Sequence, residues 1–222
     1  MIKGIIFDMD GTILNTIEDI KDSVNHAMKI CNLPLKTLQE VKDGVGRGAI
    51  NLIEDVVPKN TSQEDILKVY KVYQDHYDKN ANHKTGPYPD ILTLLKRLKE
   101  MGYKLAVVSN KHKYLVEALN HDIFNDYFDY SMGEVKGIPI KPEPDMLYMA
   151  LAHLDLDKSE VLFIGDSDVD MMTANNADIT SVGVTWGFRS KEVLIKHNAS
   201  YIIDQPNQLL NILNEVNNNG ND

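Results

Sequence analysis

The sequence predicts an α/β protein: a parallel sheet covered by helices on both faces, with an all-helical subdomain inserted near the N-terminus. Short apolar runs alternate with helical patterns along the chain. The runs are solidly apolar and do not alternate with polar residues, as expected of parallel strands buried on both faces. About a hundred residues separate the first run from the second, far more than one crossover helix needs.

The elements follow in order. "IKGIIF" (2–7) is the first strand. Residues 15–82 read as helix throughout, in "TIEDIKDSVNHAMKICN", "LQEVKDG", "AINLIEDVV" and "SQEDILKVYKVYQDHYDKN". These form the inserted cap, and "HKTGPYPD" (83–90) is the Gly- and Pro-bearing hinge that returns the chain. The expected division is therefore a core of residues 1–14 and 83–222 and a helical cap of residues 15–82. Within the core, "KLAVVS" (104–109), "YFDYSM" (127–132), "VLFIG" (161–165) and "ITSVGV" (179–184) continue the sheet, with "SYIID" (200–204) as a short edge strand. Helical patterns fill the gaps at 90–101, 113–121, 144–154, 169–177 and 207–216. The polar tail "NNNGND" (217–222) is expected to fray.

Composition narrows the function. With 43% hydrophobic and 25% charged residues, the 222-residue chain has the make-up of a globular protein with a sizeable core. A net charge of −10 repels nucleic-acid backbones, so an anionic substrate needs local positive charge in its site. No window approaches a membrane span, no secretory pattern opens the chain, and the expected location is the cytoplasm. Cys31 is the single cysteine, which leaves no disulfide framework or Cys-based zinc site; it reads as a small buried hydrophobe.

Polar residues gather where strands end. The first strand ends in Asp8 and Asp10, followed by Gly11 and Thr12; the second in Ser109 and Asn110; the fourth in Gly165, Asp166, Ser167, Asp168 and Asp170. Lys141, in "IPIKPEPD" (138–145), precedes a helix in a Pro-rich loop. Singly, these are ordinary turn residues, helix caps or a solvated lysine. Together they place acids on two strand ends with a lysine loop between, at the edge where open α/β sheets bind ligands. Asp8 and Asp10 share one side of an ideal strand, roughly 7 Å apart. With Asp166 added, the cluster repels itself, at about 4 kcal/mol per pair at 4 Å and an effective dielectric of 20. It is relieved either by a hard cation such as Mg²⁺, which takes oxygen ligands, or by protonation of one acid.

"DMDGT" (8–12), "VVSN" (107–110), Lys141 in "IKPEP" and "GDSDVD" (165–170) together resemble the haloacid dehalogenase-like hydrolase superfamily, in order and spacing, over nearly the whole chain. "GPYPDILTLLKRLKEMGYKLAVVSNK" and "VGVTWGFRS" look most like its phosphoglycolate phosphatase and pyrophosphatase branch. The resemblance implies a Rossmann-like core with a helical cap and a Mg²⁺-dependent phosphatase. It implies Asp8 as nucleophile, forming an aspartyl-phosphate, and Asp10 as general acid and base. Asp8, the Asp10 carbonyl and Asp166 would bind Mg²⁺, with Asp170 as supporting acid and Asp168 peripheral. Ser109, Asn110 and Lys141 would hold the phosphoryl group, helped by backbone N–H groups around Gly11 and Thr12. The expected partner is a small phosphorylated metabolite, with no nucleic acid or membrane, and the chain is expected to be a monomer or homodimer.

Weaker signals remain. "GVGRGA" (44–49) matches a dinucleotide pattern but follows a polar, helical stretch and not a strand. It reads as a connector or as a cap loop over the site, where Arg47 or the N-terminus of the helix near Ala49 would bind a substrate carboxylate. Tyr70, Tyr73 and Tyr77 read as packing; His112 and Trp186 either face the cleft or pack. The histidines show no zinc-binding arrangement. Among rivals, a dehalogenase has no use for Asp10, and a phosphonate hydrolase needs a cap lysine such as Lys36 or Lys42. A phosphosugar mutase or pyrophosphatase uses the same acids. The intact acids argue against a phosphate-binding regulator on the same scaffold, and a receiver-type domain has no inserted cap and no call for an acid two residues after its phosphorylated aspartate.

Overall fold

The computed structural model describes residues 1–125 and 127–219. The chain enters through β1 (Gly4–Phe7) and the short β2 (Leu14–Asn15), then forms four helices: α1 (Ile17–Ile30), α2 (Leu38–Gly44), α3 (Ala49–Val56) and α4 (Gln63–Asn80). It returns through β3 (Gly86–Pro87), α5 (Ile91–Glu100), β4 (Lys104–His112), α6 (Lys113–Leu119) and β5 (Tyr130–Glu134). Then follow α7 (Asp145–Leu154), β6 (Val161–Gly165), α8 (Asp168–Ala177), β7 (Thr180–Val184), α9 (Lys191–Lys196), β8 (Tyr201–Ile203) and α10 (Leu209–Asn219).

Six strands form one parallel, Rossmann-like sheet in the order β5-β4-β1-β6-β7-β8. The chain builds outward from β1 to one side and then to the other, so β1 lies between β4 and β6. Phe7 is in register with Val107 and with Ile164, which brings the ends of these three strands to one edge.

Alternate residues of the strands feed two cores, as the pleat requires. Ile5, Phe7, Leu105, Val107, Leu162 and Ile164 pack with Leu94, Leu98, Val116 and Leu213 of α5, α6 and α10. Ile6, Ala106, Val108 and Phe163 pack with Met146, Leu147, Ala150 and Ala174 of α7 and α8. The sheet is covered on both faces, which explains why its strands read as unbroken apolar runs.

The four helices α1–α4 bury a cluster of their own, including Ile20, Val24, Met28, Leu52, Ile53, Ile66, Val69, Tyr73 and Tyr77. Leu115 and Phe188 from the sheet side join it. β2 and β3 pair antiparallel where the chain leaves and re-enters, with Leu14 opposite Pro87. The buried Asp19 carboxylate fixes this crossing by accepting the Lys84 N–H at 2.9 Å and the Thr85 N–H and hydroxyl at 2.8 Å each.

Several boundaries differ from expectation. β4 runs to His112, three residues past the expected end, because His112 pairs with Glu134 beyond a shift in register after Val108. β5 starts at Tyr130, since the Asp129 carboxylate just before it accepts the Leu105 N–H at 2.8 Å. The tail expected to fray is helical as far as Asn219: Asn217 accepts the Ile2 N–H at 2.6 Å and donates to the Tyr103 hydroxyl at 3.2 Å. Residues 220–222 lie outside the described residues. Cys31 is half-buried against the α1–α4 cluster and not fully enclosed. No helix among the described residues is long and apolar enough to cross a membrane.

Candidate active site

β1, β4 and β6 each deliver an expected site residue to the carboxyl edge of the sheet. Asp8 follows β1 and is locked in register by its N–H, which donates to the Ile164 carbonyl at 2.8 Å. Ser109 lies on β4 and Asp166 follows β6, and all three are buried. Asp170 sits in the first turn of α8, where Ser167 caps the helix in a reciprocal capping box.

Lys141 enters from the loop before α7, 3% exposed, with Nζ at 2.6 Å from both Asp8 Oδ1 and Asp170 Oδ1. Asn110 holds that loop: its amide donates to the Lys141 carbonyl at 2.8 Å and accepts the Lys141 N–H at 2.8 Å. The same amide donates to the Gly46 carbonyl of the cap at 2.9 Å. Asn110 therefore braces the lysine loop and the cap, which leaves it little capacity for the substrate contact expected of it.

Carboxylate oxygens of Asp8, Asp166 and Asp170 lie within 4.8 Å of one another, all buried. The Lys141 ammonium pairs with two of these three carboxylates. Burial pushes Asp8 up to about 7, with Lys141 pulling it down and Asp170 and Asp10 pushing further up. Burial, then Asp170 and Asp8, raise Asp166 well above the usual carboxylate range. Burial alone would lower the Lys141 ammonium, but Asp170 and Asp8 reverse this and hold it charged. The site thus carries excess negative charge that calls for a proton or a cation, and an all-oxygen donor set fits a hard divalent cation. Asp8 and Asp166 are the better placed to bind it directly. Asp170 already has Oδ1 on Lys141 and Oδ2 on the Ser167 hydroxyl at 2.6 Å.

Close approach at this edge requires glycine. Gly11 has φ of +90°, and a Cβ there or on Gly187 would collide with the Asp166 carboxylate. The turn also changes the expected roles of its residues. The Gly11 N–H donates to the Leu14 carbonyl at 2.9 Å and the Thr12 N–H to that of Met9 at 3.4 Å, so neither is free for a phosphate oxygen. The Thr12 hydroxyl instead bridges Asp8 and Asp166 at 3.4 and 3.3 Å, and Trp186 Nε1 braces the turn through the Thr12 carbonyl at 3.0 Å.

Asp8, Asp10, Ser109, Asn110, Lys141, Asp166 and Asp170 line one cavity, of about 680 Å³ counting the solvent at its mouth. Its other wall comes from the cap: Ile20, Val45, Gly46, Gly48, Ala49, Leu52, Tyr73 and Tyr77. The glycine loop leans over the site, with Gly46 at φ +122° and Gly48 at φ +87°. Arg47 does not join it. Its side chain is 54% exposed, paired with Asp55, and outside the cavity lining, because the loop turns its glycines inward and its cation outward.

A profile of the family described as haloacid dehalogenase-like hydrolase matches residues 5–184. The chain belongs to this family. It is 33% identical to a phosphoglycolate phosphatase of Haemophilus influenzae (strain 86-028NP) over 219 residues, covering 95% of this chain and 98% of the relative. It is 30% identical to a phosphoglycolate phosphatase of Vibrio vulnificus (strain CMCP6), covering 96% of each chain. A crystal structure from Lactobacillus delbrueckii subsp. bulgaricus superposes with a TM-score of 0.89 at 34% identity, covering 93% of this chain and 96% of that one.

In this haloacid dehalogenase-like hydrolase, sequence reasoning missed the cations that join core to cap. Lys111, 5% exposed, lies 3.0 Å from Asp10 Oδ1 and donates to the Tyr77 hydroxyl at 2.6 Å. The Asp10 contact has ion-pair distance without hydrogen-bond geometry, and Asp10 Oδ1 has no hydrogen-bond partner among the described residues. Arg189 donates to the carbonyls of Lys42 at 2.5 Å, Asp43 at 3.1 Å and Val45 at 2.6 Å, and pairs with Asp168 at 3.2 Å. Tyr77 does more than pack, and His112 sits at the cavity between Tyr70 at 2.9 Å and Glu134 at 3.2 Å. "SNK" at 109–111 was the available signal for Lys111, since the lysine directly follows two strand-end site residues.

Proposed function

We propose that this chain, a phosphoric monoester hydrolase by its kinship, cleaves a small acidic phosphate monoester such as phosphoglycolate through an aspartyl-phosphate on Asp8, with Mg²⁺ as cofactor. The observation that carries this reading is the buried cluster of Asp8, Asp166 and Asp170 at the sheet edge, with one ammonium shared between Asp8 and Asp170. Relatives named phosphoglycolate phosphatase, similar along nearly their full length, supply the substrate class. We take residues 15–82 as the cap and the remainder as the catalytic core.

Asp8 and Asp166 would hold Mg²⁺, aided by the Asp10 carbonyl and, at one remove, Asp170. When bound, the ion offsets carboxylate charge and polarises phosphoryl oxygens. Lys141 fixes Asp8 Oδ1 and leaves Oδ2 with only the long Thr12 contact, so Asp8 is oriented by one oxygen. A carboxylate oxygen of Asp8 attacks phosphorus and the bond from phosphorus to the ester oxygen breaks. Asp10 gives its proton to the leaving oxygen. Water then attacks phosphorus, Asp10 takes back a proton, and phosphate departs from a regenerated Asp8 carboxylate. Ser109 and Lys141 steady the phosphoryl oxygens, and the apolar cap wall excludes bulk water, which suits a reaction governed by positioning and charge.

The test is phosphate release from a panel of small phosphorylated metabolites, with and without Mg²⁺. Release from phosphoglycolate that requires the metal and is lost in Asp8→Asn supports the reading. Metal-independent release, or near-normal turnover by Asp8→Asn, overturns it.

A further inference from the structure

Three cations stand in the cavity wall, and two already have roles there. Lys141 is shared between Asp8 and Asp170 at 2.6 Å each. Arg189 spends its guanidinium on three cap carbonyls and Asp168. Lys111 is different. Its ammonium has three protons to donate. Tyr77 accepts one at 2.6 Å, and the 3.0 Å contact to Asp10 lacks hydrogen-bond geometry. Burial keeps the Tyr77 hydroxyl protonated, and the Lys111 side chain is 5% exposed.

We propose that Lys111 is the specificity residue of this site and binds the acid group of a phosphorylated small hydroxy acid. The assignment rests on the phosphatase reading above and supplies what Arg47, turned away with Asp55, does not. Lys111 lies two positions after Ser109 on β4, and the Lys111 N–H donates to Ser109 Oγ at 3.3 Å. One small molecule can therefore present its phosphoryl group to Ser109 and a nearby carboxylate to Lys111. Asp10, the group that protonates the leaving oxygen, lies beside the same ammonium, so a leaving group within reach of its acid is also close to Lys111. A substrate carboxylate takes Lys111 as its counterion and releases Asp10 toward the ester oxygen. A neutral leaving group leaves the Lys111–Asp10 contact in place. A compact ammonium on a flexible stem suits this exchange, and its burial strengthens each charge contact it makes. Tyr77, from the cap, is a positioning residue that holds Nζ where core and cap meet.

The experiment compares Lys111→Met and Lys111→Arg with the wild type on phosphoglycolate and ethyl phosphate, reading the ratio of the two kcat/KM values. Loss of a charged hydrogen bond predicts a fall in that ratio of about 10–100-fold for Lys111→Met, with most of it restored in Lys111→Arg. Equal losses on both esters overturn the assignment, since a structural or acid-positioning role harms both alike. Calorimetric binding of the two esters with Mg²⁺, in Asp8→Asn with and without Lys111→Met, separates this assignment from the phosphatase reading. A binding preference for phosphoglycolate that Lys111→Met removes, with a wild type that cleaves neither ester, sinks the phosphatase reading and keeps Lys111. Turnover of both esters with an unchanged ratio does the reverse. Should Lys111→Met fail to fold, Tyr77→Phe reads the same ratio, expected to fall several-fold; no change overturns the assignment.

Discussion

On the core side of the cavity, Asp8, Ser109 and Asp166 stand on three adjacent strands whose register fixes their spacing. On the cap side, Val45, Gly46, Gly48 and Leu52 present backbone and apolar surface, held in place by long core side chains: Asn110 to Gly46 and Arg189 to Lys42, Asp43 and Val45. One wall is set by ladder hydrogen bonds and buried charge, the other by a few side-chain hydrogen bonds from the core. Groups that do chemistry need the first kind of support, because small displacements are costly there. A cover that must admit substrate and release product needs the second.

Predictions that break this comparison start at the core. Asp8→Asn should lower turnover by more than about 10³-fold while the protein stays folded, because an amide cannot be phosphorylated and Lys141 keeps Asp170. Rapid-quench kinetics and a melting curve check both halves. Metal removal should act through the same cluster: chelation should abolish phosphate release, and Mg²⁺ should restore it. Mg²⁺ at a hundredfold excess over its Kd should also raise the melting temperature, since binding then adds about 2.7 kcal/mol. An unchanged melting curve would leave the carboxylates without a cation. Asp10→Asn should slow both leaving-group departure and hydrolysis of the aspartyl-phosphate, by about 10²–10⁴-fold. Single-turnover measurement of each step tests this, and transfer of the phosphoryl group to a sugar in place of water would point to a mutase.

The cap wall should respond less steeply. Arg189→Ala removes the donors to Lys42, Asp43 and Val45 and should cost about 10–30-fold in kcat/KM, equally for acidic and neutral esters. A loss confined to one ester class would make Arg189 a substrate contact and not a cap fastening. Smallest of all, Arg47→Ala should stay within about threefold on every ester, because an exposed ion pair contributes about 0–1 kcal/mol. A selective loss on phosphoglycolate would restore Arg47 to the site.

The difference between the walls also explains what could be read from the chain. "DMDGT", "VVSN" and "GDSDVD" each follow an apolar run that must be a strand, so local pattern alone puts their acids and hydroxyls at one sheet edge. Lys141 was legible because a Pro-rich loop before a helix ends at the same edge. By itself, the sequence determined the parallel sheet, the inserted helices and the acidic cluster, since each depends on residue type and short spacing. Only tertiary structure decided which neighbours those residues would meet. It turned Arg47 outward, drew Asn110 into bracing two loops and spent the Gly11 and Thr12 N–H groups inside their own turn. It also set Lys111 between Asp10 and Tyr77, which lie 101 and 34 positions away in the chain. Such contacts depend on where the cap closes over the core, and no local period or spacing encodes the reach of a long side chain across that gap.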